Sequence, residues 1–250
     1  MSSTPATSAP ASFSRVAVVI VAGGTGNRFG ASLPKQYCLL DGKPVLAHTL
    51  EAFRSALPGA RIVTVVSREM EDFWRVMCKE ALDIDPGELV HGGSSRWEST
   101  GNALDTLDPA DFDIVLVHDG ARPLPSPSLI RAVIEKASDH DVDGAVPAVA
   151  VTDTLRLITD PSTGTSSAVD RSLYRAVQTP QGFRLADLKR AFALPWRPDF
   201  TDEASVMTIA GMNRIAMVEG SPFNIKITHP ADIEIASVYL RHIASPATDR

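Results

Sequence analysis

The chain has 250 residues, of which 44% are hydrophobic, and a formal net charge of −6 at pH 7. A chain of this length can bury a full core as one α/β domain, and its negative charge argues against a general attraction to nucleic acid or to an anionic membrane. Two cysteines are too few for a disulfide framework or a zinc site, and no apolar stretch approaches the roughly 20 residues of a membrane span, so a cytoplasmic protein is expected.

The N-terminal segment, residues 1–14, is predicted to be a disordered tail. It is small, polar and proline-containing, and it lacks the basic and apolar regions of a signal peptide. Residues 15–243 contain no internal repeat and no linker, which predicts a single domain.

Apolar β-branched runs alternate with helical patterns along this domain. The alternation predicts a Rossmann-like α/β fold, with a mostly parallel sheet and helices on both faces. Strands are predicted at 16–21, 62–66, 88–90, 114–117, 145–151, 173–178 and 215–218, and Lys226 is predicted to lie at a further strand end. Helices are predicted over 46–57, over 73–82 with Val76 inward, from the capping box Ser95-x-x-Glu98, from Pro127 to about His140, over 185–192, over 202–210 with Thr201 as its cap, and from Pro230 with Val238 inward.

Residues 152–171 break the pattern, because they are rich in Thr, Ser and Asp and include an alternating stretch over Thr154–Ile158. They predict a β-hairpin arm that projects from the sheet. Two strands alone are only marginally stable and leave unpaired edges, so a homodimer formed through this arm is expected.

The first strand leads into Gly23-Gly24-Thr25-Gly26, with Arg28 and Lys35 close behind. Glycines let backbone N–H groups approach a ligand, and Pro34 stiffens the segment that carries Lys35, so the stretch suits a polyphosphate. A dinucleotide fingerprint fails because Phe29 stands where its third glycine belongs, and the Walker pattern fails as well. A plain strand-end turn with surface cations is the alternative.

Ligands of open parallel sheets collect beyond the carboxyl ends of the strands. Five candidate segments occupy such ends in the predicted sheet: Gly23–Gly26, Gly92-Gly93, Asp119–Arg122, Thr152–Thr154 and Lys226. Asp119 is an acid that could hold a hydroxyl or Mg²⁺, and its alternative role is to cap its own turn. The six histidines are interpreted as structural or solvated.

A family resemblance follows from these residues. Ala22-Gly23-Gly24-x-Gly26-x-Arg28 and Leu33-Pro34-Lys35-Gln36 resemble the signature of sugar- and polyol-phosphate nucleotidyltransferases, more narrowly of the 2-C-methyl-D-erythritol 4-phosphate cytidylyltransferases. The later motifs match in order: His118-Asp119-x-Ala121-Arg122-Pro123, Asp153-Thr154, Val169-Asp170-Arg171, Gln178-Thr179-Pro180-Gln181, Thr201-Asp202-Glu203-Ala204-Ser205 and Asn224-Ile225-Lys226.

The resemblance implies an enzyme that transfers CMP from CTP to 2-C-methyl-D-erythritol 4-phosphate and releases pyrophosphate, with Mg²⁺ held near Asp119. It implies a CTP site made of Ala22, Gly23, Gly24, Gly26, Gly93, Ser99, Asp119, Gly120 and Arg122. It implies catalytic cations at Arg28, Lys35, Arg171 and Lys226, and acceptor contacts from Thr154, Arg171, Thr201 and Lys226. Thr154 and Arg171 would come from the arm of a partner subunit.

Two departures concern the acceptor. The chain has Gly23 and Gly120 where many family members have alanine, and Gly-Gly in the first loop also occurs in pentitol-phosphate cytidylyltransferases, which are the nearest alternative. Val169-Asp170-Arg171 favours methylerythritol phosphate. More distant alternatives are an NADP-dependent oxidoreductase, for which Ser67-Arg68 could meet a 2′-phosphate, and a non-catalytic nucleotide sensor.

Overall fold

The computed structural model describes residue 13 and residues 15–24 and 33–244. The predicted N-terminal tail therefore lies almost wholly outside the described residues, as do the predicted site residues Gly26 and Arg28. The strands are β1 (Val16–Ala22), β2 (Leu39–Leu40), β3 (Lys43–Pro44), β4 (Arg61–Val66), β5 (Glu88–His91), β6 (Ile114–Asp119), β7 (Gly144–Ala150), β8 (Arg156–Asp160), β9 (Thr165–Ala168), β10 (Arg175–Val177), β11 (Gln181–Arg184) and β12 (Ile215–Glu219). The helices are α1 (Val45–Ala56), α2 (Glu71–Val76, continued by a π-helical turn over Met77–Leu82), α3 (Arg96–Leu104), α4 (Pro127–Ala137), α5 (Leu185–Phe192), α6 (Glu203–Ile209) and α7 (Ala231–Ala244).

Eight strands form the main sheet, in the order β10-β7-β11-β6-β1-β4-β5, with β12 paired to β7. β6, β1, β4 and β5 are mutually parallel, and β12 is parallel to β7. β10 and β11 run antiparallel to their neighbours. The predicted mostly parallel sheet is thus confirmed, and its parallel part ends at one edge in Ala22, Val66, His91 and Asp119.

Helices cover both faces of the sheet, as predicted. Side chains of β1 alternate between the faces: Val18 and Ile20 pack with α1, α2 and α4, whereas Ala17 and Val19 pack with α3, α5 and α6. This two-sided burial explains why β1 reads as a continuous apolar run. A smaller cluster joins α7 to β2 and to the residues after β6 through Leu40, Ala121 and Ile227.

The predicted arm is present as the antiparallel hairpin β8–β9, a two-stranded sheet separate from the main one. Its Leu157 and Ile158 are 58% and 54% exposed. None of the helices in the described part of the chain combines the length and the apolarity that a bilayer crossing requires.

Several local predictions were wrong. β11 was not predicted, because its Gln-Gly-Phe-Arg sequence has no β-branched residue. It is a strand because it pairs with β6 on one side and with β7 on the other. Lys226 lies in a segment without strand pairing. α4 ends at Ala137, three residues before the predicted end.

Two predicted core residues also face solvent. Val76 and Val238 are 52% and 56% exposed. In the second helix, Trp74 and Cys78 occupy the buried face instead, and the π-helical turn that follows changes the spacing from which Val76 was assigned.

Candidate active site

A cleft of about 310 Å³ opens at the carboxyl edge of the parallel strands. The residues that line it come from the ends of β1 and β6, the loop before α3, the turn after Pro34, and the segment before α7. They are Val21, Ala22, Gly23, Gly24, Lys35, Gln36, Gly93, Ser94, Ser95, Arg96, Ser99, Asp119, Ala121 and Lys226. Four of the five segments predicted to meet at this edge contribute to the lining, through Gly23 and Gly24, Gly93, Asp119 and Ala121, and Lys226, whereas Thr152–Thr154 does not line the cleft.

The start of the glycine loop is held by Gln36, whose side chain is buried. Its amide nitrogen donates to the carbonyl oxygens of Ala22 at 2.6 Å and of Gly24 at 2.8 Å. These bonds fix the two carbonyls toward Gln36, and because the peptide plane is rigid, the Gly23 N–H faces the opposite way from the Ala22 carbonyl. Gln36 belongs to the Leu33-Pro34-Lys35-Gln36 motif, which by itself indicated no role for this side chain.

The second glycine pair packs closely against the first. A Cβ at Gly23 would lie 3.5 Å from Gly92 Cα, and a Cβ at Gly92 would lie 3.0 Å from Ser99 Oγ. Ser99 Oγ accepts a hydrogen bond from Gly93 N at 3.0 Å. Predicted residues Gly23, Gly93 and Ser99 therefore form one wall of the cleft, where larger side chains would fill the space.

α3 begins where the capping box predicted. Ser95 Oγ accepts from Glu98 N at 3.0 Å. The Glu98 carboxylate accepts from Ser94 N and Ser94 Oγ, both at 2.7 Å, so its reciprocal bond goes one residue further back than the motif requires. The first helical residue, Arg96, lies in the cleft.

Three cations converge on Asp119. Its Oδ2 is 2.9 Å from Lys226 Nζ and 3.4 Å from Arg122 Nε, and its Oδ1 is 3.4 Å from an Arg96 Nη. Burial alone would raise the pKa of the Asp119 carboxyl, but the charges of Arg96, Lys226 and Arg122 outweigh burial and hold that pKa far below its usual range. Asp119 is therefore ionised, and its contacts are ionic, unlike those of a residue that caps its own turn.

Arg96 has a second, shorter ion pair with Glu203, which was not among the predicted site residues. One of its Nη atoms lies 2.6 Å from Glu203 Oε1, which also accepts from Thr100 Oγ1 at 3.0 Å. Burial would lower the pKa of the Arg96 guanidinium, but Glu203 and Asp119 raise it above its usual value. The helix start predicted from Ser95 was the one sequence signal for Arg96.

Lys226 reaches Asp119 because buried amides fix the chain beside it. Asn224 is fully buried and donates to the Thr179 carbonyl at 2.8 Å, while Gln178 donates to the Ser221 carbonyl at 2.8 Å. Ile227 N donates to the Ala121 carbonyl at 2.8 Å. The segment is thus anchored on both sides of Lys226 without being a strand.

His118 supports Asp119 from within the core. Its Nδ1 lies 3.0 Å from Thr179 Oγ1 and its Nε2 lies 2.9 Å from the Arg122 carbonyl oxygen, so Nε2 carries the proton. Thr179 Oγ1 in turn accepts from Asp119 N at 3.1 Å. Complete burial lowers the pKa of His118 to about 4, and the hydrogen bond to the Arg122 carbonyl offsets only part of that effect. The structural role predicted for this histidine fits these contacts.

The remaining predicted residues lie away from the cleft lining. Thr154 and Arg171 are exposed, and an Arg171 Nη donates to the Thr152 carbonyl. Thr201 is exposed, and the prediction that it caps α6 was wrong. The cap is Asp202, whose carboxylate accepts a hydrogen bond from Ser205 N at 2.8 Å. At Gly120 a Cβ would lie 2.8 Å from Ala22 Cβ, so this glycine allows the two strand ends to pack.

The cleft residues also show how a divalent metal would be held. Among the described residues that line it, Asp119 is the one acid, and the described residues hold no cluster of three His, Cys, Asp or Glu side chains suited to a metal. Mg²⁺ that binds with a nucleotide needs only one or two carboxylates beside the phosphate oxygens. Asp119 fits that role as a single protein ligand.

The glycine walls, the excess of cations and the position at the sheet edge define a Rossmann-like protein with a cleft for a phosphorylated ligand of nucleotide size. The family model described as IspD, 2-C-methyl-D-erythritol 4-phosphate cytidylyltransferase, matches residues 16–242. The chain belongs to this family of CTP-dependent nucleotidyltransferases.

Individual relatives agree with the family assignment. The chain is 42% identical over 223 residues to the 2-C-methyl-D-erythritol 4-phosphate cytidylyltransferase of Bacteroides thetaiotaomicron, an alignment that covers 89% of this chain and 98% of that one. The crystal structure of the Francisella tularensis protein of the same name is similar with a TM-score of 0.72 and 32% identity, covering 90% and 99% of the two chains. The Thermus thermophilus structure gives a TM-score of 0.70 and 30% identity, covering 91% and 99%.

Proposed function

We propose that this protein transfers CMP from CTP to 2-C-methyl-D-erythritol 4-phosphate, giving 4-diphosphocytidyl-2-C-methyl-D-erythritol and pyrophosphate. The observation that carries the proposal is the group of three cations around Asp119 in a glycine-walled cleft. The identities of the nucleotide and of the acceptor are inferred from the family to which the chain belongs.

The reaction is an in-line displacement at the α-phosphorus of CTP. An oxygen of the acceptor phosphate forms the new P–O bond, the bond to the bridging oxygen of the β-phosphate breaks, and pyrophosphate leaves with that electron pair. Both reactants are anions, so the protein has to position them and neutralise the charge that develops. Neither a covalent intermediate nor a general base is required.

Among the described residues, we assign to Lys226 and Lys35 the role of neutralising the negative charge that develops in the transition state. Both line the cleft, and Asp119 holds Lys226 there through a 2.9 Å ion pair. A unit-charge pair at about 4 Å gains roughly 4 kcal/mol near a protein surface against about 1 in water, so a phosphate in this cleft competes well for the ammonium group. Arg28 stays a predicted catalytic cation that lies outside the described residues.

We assign Mg²⁺ to Asp119, which would hold it together with the phosphate oxygens of CTP. When bound, the ion would reduce the negative charge of the triphosphate. We assign nucleotide binding to the backbone of Ala22, Gly23 and Gly24. We assign the same role to Gly93, Ser99, Gly120 and Arg122.

The acceptor site is assigned to Lys226, Thr201 and the arm residues Thr154 and Arg171, the last two from a partner subunit. Exposed apolar side chains on and beside the arm support a homodimer: Leu157 is 58%, Ile158 54% and Leu173 81% exposed. A hairpin with such side chains gains stability when a second copy covers it. Two free cysteines support a reducing compartment, and we assign the protein to the cytoplasm.

The test measures pyrophosphate release from CTP with a panel of acceptors: 2-C-methyl-D-erythritol 4-phosphate, ribitol 5-phosphate and no acceptor. We expect release with methylerythritol phosphate at least about tenfold faster than with ribitol phosphate, the scale of one charged hydrogen bond. Preference for ribitol phosphate would assign the chain to pentitol chemistry. No release with any acceptor would contradict the transfer itself and favour a nucleotide sensor.

A parallel titration addresses the oxidoreductase alternative. CTP should raise the unfolding temperature, and NADPH at the same concentration should not. Stabilisation by NADPH but not by CTP would contradict the proposed substrate.

A further inference from the structure

Glu203 is a buried acidic side chain that the proposed chemistry does not use. Its side chain is only 1% exposed. One carboxylate oxygen accepts from Arg96 at 2.6 Å and from Thr100 at 3.0 Å, while the other, Oε2, is buried with no hydrogen-bond partner among the described residues.

A buried ion pair of this kind is weak evidence for stability. Replacing such a pair by packed apolar residues is often neutral or stabilising, because both charges lose their hydration. Core stability therefore does not explain the Glu203–Arg96 pair. The distances from Arg96 to its two carboxylate partners indicate another role.

Arg96 lies between two carboxylates at unequal distances. It is 2.6 Å from Glu203 and 3.4 Å from Asp119. Without the charge of Glu203, the attraction of Asp119 for Arg96 would be unopposed. Arg96 would then close onto Oδ1 of Asp119 and narrow the cleft that both residues line.

We propose that Glu203 is a positioning residue for nucleotide binding: its shorter pair with Arg96 keeps the Arg96–Asp119 contact at 3.4 Å and prevents a closer approach, so that the cleft stays open and the Asp119 carboxylate stays available. The proposal rests on the proposed function for the identity of the nucleotide, CTP. Glu203 acts through Arg96 and touches no substrate.

The pair also joins two elements that are distant in the sequence. Arg96 begins α3 and Glu203 begins α6, 107 residues later. The start of α6 is fixed by Gln181, whose amide donates to Asp202 at 2.7 Å and accepts from Ala204 N at 3.0 Å. Glu203 thus comes from a rigid support, as a positioning residue requires.

The experiment measures CTP binding by calorimetry for the wild type, Glu203→Gln, Arg96→Met and the double variant. Glu203→Gln should weaken CTP binding at least about tenfold, the scale of one charged hydrogen bond. The double variant should bind CTP like Arg96→Met within about twofold, because Glu203 acts only through Arg96. In turnover, Glu203→Gln should raise the KM for CTP and leave the KM for the acceptor unchanged.

Asp143→Asn is the control, since Asp143 is likewise a largely buried acid paired with arginine: its side chain is 12% exposed and lies within ion-pair distance of Arg184 and Arg214. This control should bind CTP like the wild type. A merely structural role for Glu203 would lower the number of binding sites and leave their dissociation constant unchanged.

Glu203→Asp covers the case in which Glu203→Gln does not fold, because it keeps the charge and withdraws the carboxylate by one methylene. Wild-type CTP affinity in folded Glu203→Gln or Glu203→Asp would overturn the proposal. So would a further loss of affinity in the double variant relative to Arg96→Met. Absence of pyrophosphate release by the wild type would instead contradict the proposed function, while the binding measurements still decide the role of Glu203.

Discussion

At the scale of single residues, Asp119 organises the cleft by holding cations in place. Lys226, Arg122 and Arg96 would repel one another in a partly buried cavity, and the carboxylate between them offsets that repulsion. The arrangement keeps positive charge concentrated in a protein whose net charge is −6. Local charge therefore governs phosphate binding here, and net charge does not.

Lys226→Met tests the assigned catalytic cation. We expect kcat to fall at least about 10²-fold, the effect of losing one preorganised donor to a transition state. Steady-state pyrophosphate release measures this change. Lys136→Met is the control, because Lys136 also pairs with an aspartate, at 3.1 Å, and both lysine side chains are 41% exposed. A kcat within threefold of the wild type in Lys226→Met would refute the assignment.

His118 predicts how stability depends on pH. Its pKa is about 4 in the folded protein because it is buried, against roughly 6.5 in an unfolded chain. Between these values the unfolded state binds more protons, so stability falls as the pH drops from about 6.5 to 4, by about 3 kcal/mol in total from this residue.

The pH effect is measured by urea unfolding of the wild type and His118→Gln at pH 7 and pH 5. The variant is expected to be less stable at pH 7 and to lose less stability on acidification. His140→Gln, which replaces an exposed histidine, should lose as much as the wild type. Equal losses in His118→Gln and the wild type would contradict the assignment.

At the scale of elements, the site depends on irregular segments fastened to a regular sheet. The segment that carries Lys226 leaves β12 through Gly220, whose N–H donates to the Ala148 carbonyl at 2.9 Å. A Cβ at Gly220 would lie 2.9 Å from the backbone of Ala148, which cannot turn aside as a side chain could.

Gly220→Ala should therefore destabilise the protein by about 1–3 kcal/mol, as overpacking does. Gly101→Ala makes a useful comparison. Gly101 lies inside α3, its nearest potential contact is Phe192 at 3.8 Å, and alanine there should stabilise the helix by about 0.5–1 kcal/mol. Urea unfolding of both variants measures the change in the free energy of unfolding. A Gly220→Ala protein as stable as the wild type would show that the contact between Gly220 and the Ala148 backbone is looser than described.

At the scale of the whole molecule, the exposed arm is the basis of the proposed homodimer. Leu157→Ser/Ile158→Ser should weaken the proposed dimer at least about tenfold, since each side chain contributes roughly 1.5–3 kcal/mol when buried. Sedimentation equilibrium measures the dissociation constant. Trp196→Ser removes another large exposed side chain, 55% exposed and outside the arm, and should leave the dimer intact. A wild type that is monomeric at micromolar concentration would contradict the homodimer.

Much of the fold could be predicted from local signals. The apolar runs became β1, β4, β5, β6, β7 and β12, and α3 and α4 begin where the Ser95-x-x-Glu98 capping box and Pro127 predicted. These features depend on residues within about one turn or one strand of each other, so a single stretch of sequence specifies them. The glycine pairs and Asp119 were predicted in the same way, because the carboxyl ends of parallel strands share one edge.

The sequence by itself determined the α/β alternation, the glycine-walled edge and the cations available to it. Only the tertiary structure decided which charges meet: Arg96 with Glu203, and Lys226 with Asp119. These pairs join residues about a hundred positions apart, and their distances depend on strand order, above all on the insertion of antiparallel β11 between β6 and β7. No local pattern contains that order, because long-range packing selects it from the alternatives that local propensities allow.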